Sequence, residues 1–167
     1  MLGLMQDAPL LTSQTLAYAA RVFPNAEIAT ADNGRIAHRT TYYAADIRAR
    51  RLASSLKHLG LADEDVFLGA LAWNTWRLFE VMHAVPGAGG VLHTANPRLH
   101  ESHLAYTINH CGDRAVFGDL DGLPLADALA ADCASVQHWI ILAGRADMPE
   151  TSLPGVLCYE DLIEAGD

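Results

Sequence analysis

Lysine is nearly missing from this chain. Among 167 residues only Lys57 represents it, and 11 basic side chains face 20 acidic ones. The resulting formal net charge of −9 excludes a general nucleic-acid surface, because contacts to a phosphate backbone require clustered Lys and Arg. It also opposes charge-driven docking on an anionic bilayer. Cysteine is scarce: Cys111, Cys133 and Cys158 are widely spaced, with no CxxC pair, so neither a zinc ribbon nor a redox motif is signalled. They read as buried free thiols in a reducing cytosol, and the expected location is cytoplasmic. No run of about eighteen apolar residues occurs, which excludes a membrane-spanning helix. The stretch Met1 to Asp7 has no basic segment and meets Asp7 before any long apolar run, so no signal peptide is expected.

Motifs of hydrolytic and nucleotide chemistry are missing as well. No Gly-x-Ser-x-Gly elbow occurs, and Ser54-Ser55 fall mid-helix, where an oxyanion hole has no source. No GxGxxG follows the first parallel strand. The glycine-rich run Pro86-Gly87-Ala88-Gly89-Gly90 comes after a helix, where it serves a stop and a tight strand entry. A phosphate cradle needs glycines after a strand and before a helix, with their amides aimed at the anion.

What remains is a foldable chain. Hydrophobic residues make up 51% and charged ones 19%, a balance that suits one globular domain able to bury roughly 70% of its unfolded surface. Apolar spacing predicts a helix over 11–23, with Thr12 or Ser13 as its N-cap. A hairpin follows, Ala26 to Thr30 and Arg35 to Thr40, turning at Asp32-Asn33-Gly34. A long helix over Tyr43 to Leu59 places Ile47, Leu52, Leu56 and Leu59 on one face, leaves Arg48, Arg50, Arg51 and Lys57 around the other, and stops at Gly60.

From Val66 onward strands alternate with helices. Val66 to Ala72, Val91 to His93, Ala115 to Phe117 and Trp139 to Leu142 read as strands. The helices between them are Thr75 to Val85 (capped by Asn74 or Thr75 and ended by Pro86-Gly87), His100 to His110 (stopped by Gly112) and Pro124 to Ala131. A loop over 148–154 leads to a last helical turn, Tyr159 to Ile163. This order gives an α/β fold, an open, mostly parallel sheet with flanking helices and right-handed crossovers, plus a small N-terminal antiparallel hairpin.

Candidate sites divide into architectural and chemical readings. His100 and His103, three apart on one helix face with His110 further along, invite a metal. No Asp, Glu or Cys at ligand spacing completes that set, and solvated helix histidines explain it better. The turn His93-Thr94-Ala95-Asn96-Pro97-Arg98 ends a parallel strand, where open α/β sheets place ligands. Thr94 and Asn96 suit caps, Pro97 a first helical position, and Arg98 a carboxylate in a neighbouring element, so the structural reading leads. Trp73 and Trp76 read as core or interface anchors. Asp63-Glu64-Asp65 reads as a solvated turn.

The words Leu71-Ala-Trp-Asn-Thr-Trp-Arg77, Val85-Pro-Gly-Ala-Gly-Gly-Val-Leu-His-Thr-Ala-Asn-Pro-Arg-Leu99 and Asp113-Arg-Ala-Val-Phe117 together resemble the N-terminal region of AMP-forming fatty acyl-CoA synthetases, medium- and long-chain fatty-acid–CoA ligases of the adenylate-forming superfamily. Met148-Pro-Glu-Thr151 and Tyr159-Glu-Asp-Leu162 resemble the family's approach to its ATP loop. The resemblance implies an incomplete part of the large N-terminal domain. Residues 1–60 would form helix, hairpin and long helix, 61–145 a parallel α/β unit, and 146–167 a loop and helical turn leading toward the ATP loop.

It further implies a parent ligase that uses ATP, Mg and CoA to turn a fatty acid into acyl-CoA with release of AMP and pyrophosphate. A loop like Ser/Thr-Gly-Thr-Thr-Gly-x-Pro-Lys-Gly should hold the polyphosphate, and nothing matching it occurs here. No catalytic, cofactor-binding or metal residue is therefore assigned, and the chain alone is expected to be inactive. The implied partners are a homodimer mate or the remainder of the synthetase, since hairpin and sheet edges would otherwise stay unpaired. A non-catalytic acyl- or nucleotide-binding regulatory module is the alternative.

Overall fold

The computed structural model describes residues 3–4 and 7–167. Met1, Leu2, Met5 and Gln6, on which much of the leader reading rests, lie outside the described residues. Helix α1 spans Thr12–Val22. Strands β1 (Glu27–Asp32) and β2 (Arg35–Thr41) form the antiparallel pair, and α2 runs over Tyr42–His58. Then come β3 (Phe67–Leu71), α3 (Trp76–Ala88), β4 (Val91–Thr94), α4 (Glu101–Cys111), β5 (Ala115–Gly118), α5 (Leu123–Ala130), β6 (His138–Ile141), β7 (Val156–Cys158) and α6 (Tyr159–Ala165). The parallel sheet has the order β4-β3-β5-β6-β7.

Two apolar layers cover this sheet. On one face, Leu52 and Leu56 of α2 and Val81 and Val85 of α3 pack with Leu68, Phe117 and Ile140. On the other, Leu104 and Ile108 of α4 and Leu129 of α5 pack with Val116, Trp139 and Ile141. Strands buried on both sides read as continuous apolar runs, which is why Phe67–Leu71 and Ala115–Gly118 are legible in the sequence. The hairpin turns at Asn33 and Gly34, whose φ values of 47° and 75° suit a tight two-residue connection. Among the described residues no helix is long and apolar enough to cross a membrane.

Several local expectations are corrected. The residue preceding α1 is Leu11, with no side-chain cap, so neither Thr12 nor Ser13 caps it; the Thr12 carbonyl instead accepts from the Thr15 hydroxyl. Pro86 does not end α3. Proline lacks only one amide, and in the last turn that loss leaves the helix free to continue to Ala88, where Gly89 (φ 102°) stops it. Helix α4 is capped by His100, whose Nδ1 accepts from the Ser102 amide at 3.2 Å. Asn96 makes a separate turn by accepting from the Arg98 amide at 3.0 Å, and Pro97 lies outside the helix. Ile47 is 36% exposed, because Ala45, Ala49, Leu52 and Leu56 define the buried stripe of α2. Finally, β7 has no counterpart in the sequence pattern, since three residues show no periodicity.

Candidate functional site

The chain leaves β3 through α3 to reach β4 on one side, then returns through α4 to β5 on the other side of β3. The two crossovers lie on opposite faces, so the segments following β3 and β5 diverge and open a crevice at the carboxyl edge of the sheet. A cleft of about 480 Å³ lies there, lined by Trp73, Asn74, Asp119 and Asp121 from the segments that follow β3 and β5 and by Thr30 and Asp32 from the hairpin. Two hydrogen bonds link its rim. The Trp73 amide donates to Asp119 Oδ2 at 2.6 Å, and the indole N–H donates to Asp121 Oδ2 at 3.1 Å. The Arg98 guanidinium lies 5.6 Å from the Trp73 ring centroid.

Electrostatically this rim is acidic. Burial raises the Asp119 carboxyl above its ordinary range, the Trp73 amide opposes that shift, and the neighbouring Asp121 adds to it. Carboxylates and a flat indole suit an apolar or cationic group better than a polyphosphate. Lys57, near the C-terminal end of α2, is exposed and does not line this cleft.

The family model described as AMP-binding enzyme matches residues 16–157, which spans both the hairpin and nearly all of the sheet. The chain belongs to this AMP-binding enzyme family. Over all 167 residues it is 40% identical to a 3-methylmercaptopropionyl-CoA ligase of Ruegeria lacuscaerulensis, covering 31% of that protein. It is 35% identical, again along its whole length, to a medium-chain-fatty-acid–CoA ligase of Ectopseudomonas oleovorans, covering 30% of it. A benzoate CoA ligase structure from Burkholderia xenovorans superposes with a TM-score of 0.72 at 25% identity, over 92% of this chain and 28% of that one. The chain thus spans about three-tenths of the length of the curated relatives it matches.

Within this AMP-binding family chain the sequence-selected residues disperse. His100 and His103 sit edge to edge with ring centroids 6.3 Å apart, while His110 stacks on Tyr106 at 5.5 Å. The Ser55 hydroxyl is buried and donates to the Leu162 carbonyl, a tie between α2 and α6. Arg98 meets the Trp73 ring rather than a carboxylate. His93 turns inward, its Nδ1 lying 2.7 Å from Asp113 Oδ2. Cys133 and Cys158 are buried as expected, whereas Cys111 is half-buried.

Sequence reasoning missed a polar network joining α2, α3 and α6. Arg48 Nε donates to Glu80 Oε1 at 2.8 Å, and its Nη2 donates to both oxygens of Glu160 at 3.1 and 2.9 Å. Arg77 Nε reaches Glu160 Oε1 at 2.9 Å, and the Tyr159 hydroxyl donates to Glu80 Oε2 at 2.6 Å. Trp76 lies against both cations, 4.7 Å from Arg48 and 4.5 Å from Arg77, with His38 of β2 stacked 4.1 Å away. Glu80 is fully buried; burial pushes its carboxyl upward, while the Arg48 and Tyr159 donors hold it toward the charged form. The signal was the buried stripe of α2: Ala45, Ala49 and Leu52 set the buried face, and Arg48 lies on its flank rather than opposite it.

Proposed function

We propose that this chain is the N-terminal scaffold of a cytoplasmic acid–thiol ligase that joins a fatty or related carboxylic acid to CoA through an acyl-adenylate, with ATP and Mg bound mainly by the rest of the enzyme. The observation that carries this reading is the AMP-binding enzyme match over residues 16–157 together with CoA-ligase relatives aligned along the whole chain; the cleft at the switch point of β3 and β5 adds Trp73 as an apolar wall for an acyl chain and neither a lysine nor a glycine cradle for phosphates. Relatives named for 3-methylmercaptopropionate, medium-chain and long-chain acids point to an aliphatic acyl substrate.

In this reading the chain shapes the acyl side of the site and supplies a contact surface for the remaining polypeptide or for a second ligase subunit, and it does not adenylate unaided. The test is ATP–pyrophosphate exchange with fatty acids of graded length. The purified chain should show no exchange, and addition of a polypeptide equivalent to the remaining part of a relative should restore it. Acyl-adenylate formed by the chain alone would overturn the assignment.

A further inference from the structure

The structure brings together three metal-ligating side chains that the sequence keeps apart. His93 lies on the sheet-edge strand β4, Cys111 is the last residue of α4, and Asp113 follows two residues later at the entry to β5. Gly112 between the last two holds φ 71°. That left-handed conformation is open to glycine at no steric cost, and it reverses the chain so that Cys111 and Asp113 face the same point. The His93 nitrogen, the Cys111 sulfur and an Asp113 oxygen all lie within 4.8 Å of one another.

Two details show that this pocket is built around the carboxylate. In the register of β3 with β4, Gly69 stands opposite His93. A Cβ on Gly69 would come within 2.8 Å of Asp113 Oδ2, so the missing side chain makes room for the carboxyl. Asp113 is fully buried, and while Oδ2 meets His93, Oδ1 is buried with no hydrogen-bond partner among the described residues. A buried carboxylate oxygen without a donor costs free energy unless something positive meets it. The His93–Asp113 contact by itself accounts neither for that oxygen nor for the thiol beside it.

We propose that His93, Cys111 and Asp113 form a binding site for one divalent cation of borderline softness, zinc foremost, with a fourth position left to water. One nitrogen, one sulfur and one oxygen are the donor types zinc accepts. Metal–ligand bonds of about 2.0–2.3 Å in a tetrahedron bring donor atoms to roughly 3.3–3.7 Å of one another, a contraction within reach of side-chain rotation. On binding, the cation inserts between His93 and Asp113, whose direct contact opens. The Cys111 S–H bond breaks, its proton goes to solvent and the sulfur–metal bond forms, with no change of oxidation state. His93 and Cys111 are each partly accessible, which supplies an entry path at the edge of the sheet.

Titration of the chain with Co²⁺ under thiol-free reducing conditions tests this assignment. A near-ultraviolet sulfur-to-cobalt charge-transfer band and tetrahedral visible bands should saturate at one equivalent. Cys111→Ser should abolish the near-ultraviolet band, His93→Gln should weaken binding by about tenfold or more, and Cys133→Ser should leave both unchanged. Because a variant can misfold, the unmodified chain provides a second reading: one equivalent of Zn²⁺ should protect Cys111 from a thiol reagent, located by peptide mapping. A charge-transfer band that survives Cys111→Ser, absence of any such band, or Cys111 labelling indifferent to zinc would each overturn the proposal.

Discussion

The hairpin and the parallel sheet are both β structure, yet they stand at opposite extremes of burial. All four residues of β5 are buried, as are four of the five in β3. In β1 and β2 the residues are exposed or at most half-buried, and Ile36 is 52% exposed. The inner strands carry the core within themselves, because helices on both faces remove them from water, whereas the edge strand β4 is exposed or half-buried throughout. The hairpin is attached at points: the Thr30 hydroxyl accepts from the Trp76 amide at 2.9 Å, His38 stacks on Trp76, and Ile28 packs at the margin of the core. The lesson is that one half of this molecule is defined by burial and the other by a few polar and aromatic contacts.

Core deletions should separate the two most sharply. Phe117→Ala, on the central strand β5, should cost about 3–5 kcal/mol through lost burial and a cavity, whereas Ile36→Ala in β2 should stay within about 0.5 kcal/mol. Urea denaturation of both variants checks this; equal losses would erase the distinction. Next in size is the ionic tie between α2 and α3, the helices that cover one face of the sheet. Arg48→Met should cost about 3 kcal/mol by leaving Glu80 in the core without its cation, and the double variant Arg48→Met/Glu80→Gln should recover part of that loss. A fully additive pair would show that the network contributes nothing as a unit.

The smallest effect is pH-dependent. Burial, first among the causes, lowers His38 and His83 below their ordinary value of 6.5, with Arg77 and Arg48 adding to the effect at His38. The unfolded chain therefore binds their protons first, so the stability they contribute is present above pH 6.5 and is lost as pH falls toward the depressed folded-state values. Glu80, Asp113 and Asp119, raised by burial, act in the opposite sense as pH changes, so the imidazole effect is read as a difference. The stability gap between the unmodified chain and His83→Gln should shift against the unmodified chain on moving from neutral to mildly acidic pH. A gap that does not move with pH would show that burial leaves His83 free to titrate as in water.

Legibility in the sequence followed the kind of signal. The doubly covered strands announce themselves as apolar runs, and Asn33-Gly34 marks the hairpin by its backbone tolerance. Gly60 and Gly112 mark helix stops, and the word-level resemblance in Leu71 to Arg77 and Val85 to Leu99 is matched by the family found over residues 16–157. The cap of α4 was not legible, because histidine is an uncommon cap and Asn96-Pro97 offered a more conventional one. Nor was the Arg48–Glu80–Glu160–Tyr159 network, whose hydrogen-bonded pairs lie 32 to 112 residues apart and come from three helices.

The acidic cleft is half legible: Trp73 reads as an anchor, but its partners Asp119 and Asp121 lie 46 and 48 residues further on. His93, Cys111 and Asp113 are each visible as residue types, yet spacing alone pairs only His100 with His103. Helical neighbours can be counted along a chain, whereas a ligand set drawn from a strand, a helix end and a turn cannot.

By itself, the order of residues determined the alternation of strands and helices as far as β6, the turns and helix stops at Asn33-Gly34, Gly60 and Gly112, and membership of the AMP-binding enzyme family, because periodicity, turn chemistry and contiguous motifs are local properties. Tertiary structure alone decided which charges meet in the core, that the carboxyl edge of the sheet is lined by aspartates, and that a thiol, an imidazole and a carboxylate converge beside Gly69. Those outcomes depend on crossover handedness and helix packing, which bring distant residues within a few ångströms and leave no periodic trace along the chain.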